Sequence, residues 1–525
     1  MKKQLLLMFL WGCMSVPSLM AQQNLIPLNN FYREKWLENS GKNSIETFFP
    51  ANENLLPLHN IIRDSTEQYF EFFDWLLRKH WINIEKKEGQ LFISPLVDFS
   101  LGKEMTAEDR PRLFRNVRGI YAEGELFNKL AFNFIFAENQ ARFMEYETDY
   151  FHSAGEYYVS SSGYYQVNAM IPGAARTKPF KTDGLDYAYS IGNISYAINR
   201  KMRVELGNNQ FFIGSGYRSL LLSDNTIGGI GLRYKWQVSD KFSVQLAGKM
   251  HKNMYRKPHT KAVEAPYENK FFGVTYFTYR PVKNISVSLF TGGNQLRGDS
   301  LIKHPFNYQM IVPLPFFQND VLFGNSRTMN GITGLNAEIA LNKIRLYGQV
   351  AVDRVDKKYL VAAQLGAHFF KALGLNNLHF QVETNYVPQH FYASKNPKLS
   401  YSNGNLPLAH IKGNNFAEGI FKVDYEWKRL YMNFKSVYYH NLAGNDTLNY
   451  AANSIFHIQG QDVPKVIAKT FVQEFEFGYR FNRRYNAMLY VAWKGRIYNV
   501  PGKMNNDQQF LVGLKTGIFN QYFDF

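Results

Sequence analysis

Charged and polar side chains interrupt the apolar stretches between residues 110 and 240. The ionisable ones carry both signs, and they are Arg118, Glu138, Arg142, Asp186, Glu205, Arg218 and Asp224. They are accompanied by Asn139, Gln140, Tyr217, Ser219 and Asn225. Opposite charges at such positions can pair with one another, or they can bind the hydroxyl and carboxylate groups of a ligand. We therefore take these residues as the candidate site, either as a structural network or as a binding surface.

Signatures of bond-breaking chemistry are missing from the sequence. It contains no Gly-x-Ser-x-Gly, no His-Glu-x-x-His and no EF-hand loop. The histidines stand singly, and we interpret them as polar strand or loop residues; examples are His251, His304, His368, His379 and His440. We predict no catalytic residue, no metal site and no cofactor. A hydrolase that assembles serine, histidine and an acid from separate strands is the enzymatic alternative.

Three glycines fall within the same region, at Gly207, Gly214 and Gly216. The Gly-x-Gly pair lacks the third glycine of a dinucleotide fingerprint, and no βαβ pattern follows it. We predict that these glycines mark a bulge or a close approach of two backbones.

The elements that must position these residues show a period of two. From about Leu91 onward apolar and polar residues alternate; Leu232, Tyr234 and Trp236, for example, are separated by polar residues. A short turn at 239–241 leads into a return strand with the same pattern, and similar hairpins turn at 281–284, 342–343, 428–429 and 482–485. This pattern predicts antiparallel strands with one apolar and one polar face.

Long polar connections, such as 292–318 and 388–415, alternate with these short turns. Aromatic residues form 16% of the chain, which matches the interfacial girdles of membrane barrels better than a soluble β-sandwich. We predict an all-β fold, a large antiparallel transmembrane β-barrel over 91–525, with about 18 strands and 14–18 possible. Residues 519–525 are expected to form the closing strand, because a terminal Phe resembles the assembly signal of outer-membrane barrels.

The first ninety residues have a different character. Residues 1–21 have a basic start, an apolar run and a final Ala21, which predicts a signal peptide cleaved after Ala21 and removes the sole cysteine, Cys13. A lipoprotein anchored at Cys13 is the alternative. Residues 22–90 are predicted to form a helical segment at the periplasmic end, with a short helix over 31–37 and a second one carrying an apolar stripe from Tyr69 to Leu77.

The formal charge is +17, or +15 once Lys2 and Lys3 leave with the predicted signal peptide, and it indicates either anionic neighbours or a basic surface that is merely solvated. For an exported chain such neighbours are lipid head groups and acidic glycans, and we expect no nucleic-acid partner. A charge facing lipid at mid-depth costs about 2–4 kcal/mol, so the charged candidates are predicted to face the lumen. There they would form an ion-paired network, or a wall that binds glycan with Tyr217 as a stacking platform.

The most specific motif runs over residues 212–225 and reads Phe-Ile-Gly-Ser-Gly-Tyr-Arg-Ser-Leu-Leu-Leu-Ser-Asp-Asn. Together with Glu-Asn-Gln-Ala-Arg-Phe at 138–143, it resembles the gliding-motility RemB proteins of the Bacteroidota, which are similar to the capsule-assembly Wzi family. The chain departs from the expected pattern at 226–229, where a Tyr-Pro pair is replaced by Thr-Ile-Gly-Gly. The resemblance implies an outer-membrane barrel with a small helical element at its periplasmic end.

The resemblance also implies a non-enzymatic role at the cell surface, in the attachment of capsular or exopolysaccharide or in gliding. The expected partners are outer-membrane lipid, surface polysaccharide, and gliding-machinery or other outer-membrane proteins. The alternatives are an outer-membrane pore for a small solute and, third, a barrel hydrolase.

Overall fold

Eighteen antiparallel strands form one closed barrel in the computed structural model of the chain. The structure describes residues 25–26, 29–52, 71–106, 110–160, 163–174, 177–256, 267–297, 304–307, 310, 328–355, 358–394, 396–441 and 467–525. The barrel strands are β1 Gly89–Glu104, β2 Leu113–Leu126, β3 Leu130–Arg142, β4 Gly184–Ala197, β5 Met202–Gly207, β6 Gly231–Gln237, β7 Phe242–Arg256, β8 Tyr267–Val282, β9 Ile285–Leu296, β10 Met329–Leu341, β11 Ile344–Val355, β12 Lys358–Phe370, β13 Leu378–Val387, β14 Phe416–Trp427, β15 Leu430–Asn441, β16 Lys469–Asn482, β17 Ala487–Val500 and β18 Lys503–Thr516.

The barrel closes where β18 pairs with β1. Lys515 lies opposite Asp98 and Gln509 lies opposite Glu104, in antiparallel register. The predicted all-β barrel of about eighteen strands is therefore confirmed. Within the ranges described above, no helix is long and apolar enough to cross a membrane.

The connections at the two ends of the barrel differ in length. At one end, which we call the short-turn end, two-residue turns such as 283–284, 342–343 and 428–429 join neighbouring strands. At the other, the long-loop end, most connections are long, for example 143–183, 208–230 and 388–415. The hairpins predicted from alternation are present, because their turn residues and strand periods are local signals.

Alternation along each strand separates an outer face from the lumen. On β6 the side chains of Leu232 and Trp236 are exposed on the outer face, whereas Arg233 between them is buried. On β3 the rings of Phe134 and Phe136 are likewise exposed. The outer face is thus apolar and the lumen polar, the arrangement of barrels that face lipid.

Among the described residues, three helices and several short strands lie outside the wall. Helix α1 spans Asn30–Asn39, α2 spans Glu71–Arg78 and α3 spans Glu145–Ser153, and two short 3-10 turns cover Ala372–Gly374 and Pro397–Leu399. The short strands are Leu25–Ile26 with Ala51–Asn52, Phe48–Phe49 with Phe212–Ile213, Ile82–Lys86 beside β1, Glu156–Ser160 with Gly163–Val167, Lys178–Phe180 beside β4, and Ser402–Asn403 with Leu406–Pro407.

The helix predicted over 31–37 is confirmed as α1, and α1 lies inside the short-turn mouth of the barrel. Tyr32 Oη donates to the carbonyl of Arg484 in a short turn at 2.8 Å. The described part of the second predicted helix is α2, while its start before Glu71 lies outside the described residues. The signal peptide expected over 1–21 also lies outside them.

Residues 519–525 do not form the closing strand, so that expectation is wrong. Strand β18 ends at Thr516, and residues 517–525 turn into the lumen, where Phe523, Asp524 and Phe525 are buried. The physical reason lies in the lumen charges. The carboxylate of Asp524 meets two cations there, Arg218 and Lys435, each at 2.7 Å.

Candidate functional site

Four chain segments fill the described part of the lumen. We call them the N-terminal segment (29–52), the lumen loop (208–230), the cap loop (388–415) and the tail (517–525). Helix α3 closes over the end of the tail, where the rings of Tyr150 and Phe525 stack at 3.8 Å. The candidate site is the surface on which these segments meet the polar lumen wall.

Wall side chains hold the backbone of the lumen loop. The amide of Gln349 on β11 donates to the carbonyl of Ile213 at 2.9 Å, and its oxygen accepts from the N–H of Leu220 at 2.8 Å. Gly214 lies between, with φ of +111°, and a Cβ there would come within 2.4 Å of the Gln349 amide nitrogen. Gly214 is therefore approached closely by a wall side chain in a loop, whereas a bulge or a close approach of two backbones was predicted.

A second wall residue, Glu383 on β13, holds the next turn of the lumen loop. Its carboxylate accepts the backbone N–H groups of Tyr217 at 2.7 Å and of Arg218 at 3.1 Å. The amide of Gln364 on β12 donates to the carbonyl of Arg218 at 3.1 Å. A buried polar group without a partner costs about 1–3 kcal/mol, so these bonds fix the loop against the wall.

The guanidinium of Arg218 joins three parts of the molecule. Its Nε lies 3.3 Å from Glu418 Oε1 on β14, and its Nη2 lies 2.7 Å from Asp524 Oδ1 in the tail. The same Nη2 donates to Tyr439 Oη on β15 at 2.7 Å. Arg218 is 3% exposed, and it packs 4.7 Å from the ring centre of Tyr217.

The charges around Arg218 shift one another's pKa. Burial alone would raise the pKa of Asp524, but Arg218 and Lys435 hold it well below its ordinary range. Burial alone would lower the pKa of Arg218, but Asp524 with other acidic neighbours raises it well above its ordinary value. Both groups are consequently ionised at neutral pH, and the pair persists. Burial raises the pKa of Asp224, whose Oδ2 accepts from the Asn520 amide at 2.8 Å.

The remaining inward candidates also make internal contacts. Asn139 donates to the Tyr187 carbonyl at 3.1 Å, Ser219 Oγ lies 3.3 Å from Gln349 Oε1, and Asn225 donates to the Ala409 carbonyl of the cap loop. Tyr217 Oη donates to Asp524 Oδ2 at 2.8 Å and is 4% exposed. These groups are engaged inside the protein, which supports the network interpretation over glycan stacking on Tyr217.

A second buried ion pair fixes the N-terminal segment. Arg233 on β6 lies 2.6 Å from the carboxylate of Glu205 on β5, and its Nη2 donates to the carbonyl of Pro50 at 2.6 Å. Glu205 thus occupies the lumen, as predicted. The cross-strand pair orients the guanidinium, and the guanidinium holds the incoming chain.

Five predicted site residues face outward, so the expectation that they line the lumen is wrong for them; they are Arg118, Glu138, Gln140, Arg142 and Asp186. Their strand neighbours Val117, Ala137, Asn139, Ala141 and Tyr187 are buried on the inner face. Arg118 lies opposite Glu138, and Gln140 lies opposite Asp186. The strands rise above the apolar band near the long-loop end, where an outward charge costs only about 0–1 kcal/mol.

This placement predicts a small effect for the variant Arg118→Ala. We expect its free energy of unfolding to stay within about 0.5 kcal/mol of the parent protein, because an exposed side chain away from the network is removed. The measurement is the urea midpoint of the purified barrel in one detergent. A loss of several kcal/mol would show that Arg118 belongs to the buried network.

A cavity of about 370 Å³ remains between α1, the tail and the wall strands β13–β18 and β1–β4. Its charges are paired: Lys422 Nζ lies 2.6 Å from Glu34 Oε1, and Lys435 Nζ lies 2.8 Å from Glu474 Oε2. The size falls in the range of small-molecule sites, roughly 300–1,000 Å³. Paired carboxylates and ammonium groups can bind a hydroxyl-rich ligand, since they supply both donors and acceptors.

The wall residues that hold the lumen loop were missed by sequence analysis, and they are Gln349, Gln364, Glu383, Glu418 and Tyr439. A signal for most of them was present, since Gln349, Gln364 and Glu383 occupy polar positions of alternating strands. Asp524 was missed because residues 519–525 were assigned to a strand. Its partner Arg218 is 306 positions away in the sequence.

Comparisons with known proteins show similarity at the level of the fold. No protein-family model and no curated protein matches the sequence. Among solved structures the chain is similar to Wzi of Escherichia coli, an outer-membrane protein involved in group 1 capsule assembly and described as a carbohydrate-binding β-barrel. The TM-score is 0.54 and the sequence identity is 11%, and the match covers 94% of this chain and 98% of that chain. It is also similar to OprD of Pseudomonas aeruginosa, with a TM-score of 0.42 and 11% identity over 82% of this chain and 95% of that chain. The likeness to OccAB4 of Acinetobacter baumannii has a TM-score of 0.40 and 8% identity over 82% of this chain and 98% of that chain.

The likeness to Wzi extends over nearly all of both chains, and it shows the fold of an outer-membrane β-barrel. It does not single out the gliding-motility RemB proteins, whose resemblance stays a prediction. The two porin likenesses are too distant to support an argument about function.

Proposed function

We propose that the chain is a non-enzymatic outer-membrane β-barrel of the Wzi/RemB-like type. It acts at the cell surface, in the attachment of capsular or exopolysaccharide or in gliding motility. The observation that carries this proposal is the filled lumen, in which the lumen loop and the tail are tied to the wall by buried ion pairs. The fold likeness to Wzi supports the same conclusion.

The filled lumen distinguishes this proposal from a diffusion pore. A barrel of sixteen to eighteen strands leaves an aqueous channel unless side chains or loops fill it. Here residues of four segments occupy that space, and Trp36, Phe48, Phe212 and Asp524 are fully buried within it. A solute would have to displace a packed, ion-paired core in order to pass.

The orientation follows from the connections. Outer-membrane barrels have short periplasmic turns and long extracellular loops, so the long-loop end is placed at the cell surface. The polysaccharide or protein partner would then meet the long loops and α3, while α1 and the charged cavity lie on the periplasmic side. The net charge of +17 favours an acidic glycan as that partner.

The test is a deletion strain examined by capsule staining and by spreading on agar, with the wild-type gene restored as control. Loss of cell-attached polysaccharide would support a Wzi-like role, and impaired spreading with intact capsule would support a RemB-like role. A strain unchanged in both assays, with the protein inaccessible at the surface, would contradict the proposal.

Reconstitution in planar bilayers tests the second candidate, an outer-membrane pore for a small solute. We expect the wild-type barrel to pass little or no steady current, because the lumen is filled. An open porin of similar strand number, added under the same conditions, serves as the control. Steady ohmic steps from the wild-type protein would make the pore the better assignment. Turnover of lipid or peptide by the purified protein would likewise favour the third candidate, a barrel hydrolase.

A further inference from the structure

Three potential metal ligands meet where α1 contacts the barrel wall. Glu34 comes from α1, His379 from β13 and Asp424 from β14, and their ligand atoms all lie within 4.8 Å of one another. His379 Nδ1 is 3.4 Å from Asp424 Oδ2 and 3.9 Å from Glu34 Oε2. The cluster therefore joins the N-terminal segment to two wall strands.

A chain of hydrogen bonds determines which nitrogen of His379 carries a proton. His368 Nε2 lies 2.7 Å from the carbonyl oxygen of Ser215, which can only accept, so this nitrogen is protonated. In a neutral His368 ring Nδ1 is then an acceptor, and it lies 2.9 Å from His379 Nε2. His379 must donate through Nε2, and in the neutral ring this leaves a lone pair on Nδ1.

That lone pair points at two carboxylates. His379 Nδ1 is buried without a hydrogen-bond partner, and the side chain is 10% exposed. Lys422 Nζ lies 2.6 Å from Glu34 Oε1 and, beyond hydrogen-bonding distance, 3.7 Å from Asp424 Oδ2, so that Glu34 Oε2 is left facing His379. Three acceptor atoms converge in this partly buried space, and a cation between them would offset their mutual repulsion.

We propose that Glu34, His379 and Asp424 bind one divalent transition-metal ion of the Zn²⁺ class, with water as a fourth ligand. Zn²⁺ takes imidazole nitrogen and carboxylate oxygen as ligands, and three protein ligands with water in the fourth position is the arrangement of open zinc sites. A metal-binding histidine usually donates its other N–H to a fixed acceptor, and His368 supplies that acceptor. The ion ties α1 to the wall at the short-turn end. The proposed site revises the expectation that His379 is a plain polar strand residue. The metal-site proposal does not rest on the proposed function of the barrel.

The test uses the full-length protein, freed of metal and titrated with Zn²⁺ alone by calorimetry. We expect binding of one ion per chain, lost in His379→Ala and in Asp424→Asn. His440→Ala on β15 is the matched control and should bind as the parent does. His368→Ala, which removes the positioning acceptor together with the bond to the Ser215 carbonyl, should weaken binding by about 10–100-fold.

A second measurement concerns α1 itself. Zn²⁺ should slow amide hydrogen exchange over residues 30–39 in the parent protein, but not in His379→Ala. Heat-modifiable gel mobility checks that each variant is folded, and the titration of the parent protein decides the question even where a variant is not.

Three outcomes would overturn the proposal. They are failure of the parent protein to bind Zn²⁺, equal binding by folded His379→Ala, and binding that leaves the exchange of α1 unchanged. Failure of the parent protein to bind Zn²⁺ would mean that a protonated His379, and not a metal ion, offsets the two carboxylates.

Discussion

Replacing Arg218 by alanine is expected to lower the free energy of unfolding of the barrel by about 3 kcal/mol or more, in the range of 3–5 kcal/mol measured for buried pairs that lose one partner. The loss of stability comes from the buried negative charge that remains when Arg218 is removed. Glu418 and Asp524 are both fully buried beside Arg218, and each contacts its guanidinium. Without Arg218 these carboxylates would stay in a region from which water is excluded.

Two remaining partners, one ammonium and one imidazole, set the expected loss toward the lower end of that range. Lys435 Nζ stays 2.7 Å from Asp524 Oδ2, and His410 Nε2 stays 2.7 Å from Glu418 Oε2. Burial lowers the pKa of His410 despite the nearby carboxylate, so the imidazole compensates less than a fixed charge would. The variant should therefore fold, but with the tail and the lumen loop less firmly held.

The measurement is the urea midpoint together with heat-modifiable gel mobility in one detergent. Arg118→Ala is the matched control, because Arg118 is exposed on the outer face and lies away from the network. A double-mutant cycle with Asp524→Asn isolates the pair, and a coupling of about 0.5–3 kcal/mol is expected for groups in contact. If Arg218→Ala unfolded as the parent does, the network would have no structural role.

The parts of the fold that could be predicted are those with local signals. A turn such as 342–343 and the alternation on either side of it specify a hairpin without reference to the rest of the chain. The number of strands followed from the length of 91–525, which leaves about 24 residues for each of eighteen strands with its connection. The need for glycine at 214 had no comparable local signal, because the atom that a Cβ would meet belongs to Gln349 on β11.

The direction of the charged side chains could not be predicted from their cost in lipid alone. That argument assumes that every strand residue lies at membrane depth, whereas Asp186 is the third residue of β4, near the long-loop end. Whether a side chain faces the lumen or the outside is decided instead by its position in the inward–outward alternation of its strand. Asn139 and Tyr187 are buried, so Glu138 and Asp186 must face outward.

Long-range pairings in the lumen carry no local signal at all. Asp524 meets Arg218 across 306 positions, and the N-terminal segment meets the lumen loop through Phe49 and Phe212. Such contacts depend on which segments enter the barrel, and composition and period do not determine that. The residues that hold the lumen loop could be recognised only once the closed wall was known.

Removal of the tail, residues 517–525, is expected to have the second large effect. The tail crosses the lumen from Asn486, whose amide donates to the Gly517 carbonyl at 2.8 Å, to Tyr150 of α3, which stacks on Phe525. Loss of one buried Phe side chain costs about 3–5 kcal/mol, and the tail buries two together with Tyr522 and Asp524. The truncated barrel should be destabilised by more than any single substitution in the network.

The truncated chain should still close, because β18 pairs with β1 through residues 509–515 and these are retained. Opening the lumen without opening the wall should produce a measurable current in planar bilayers where the wild-type protein gives little. A synthetic peptide of sequence 517–525, added to the truncated protein, should reduce that current and raise the urea midpoint, because it can refill the space between Arg218 and α3. A truncated barrel with the wild-type midpoint and no current would show that the tail does not hold the lumen closed.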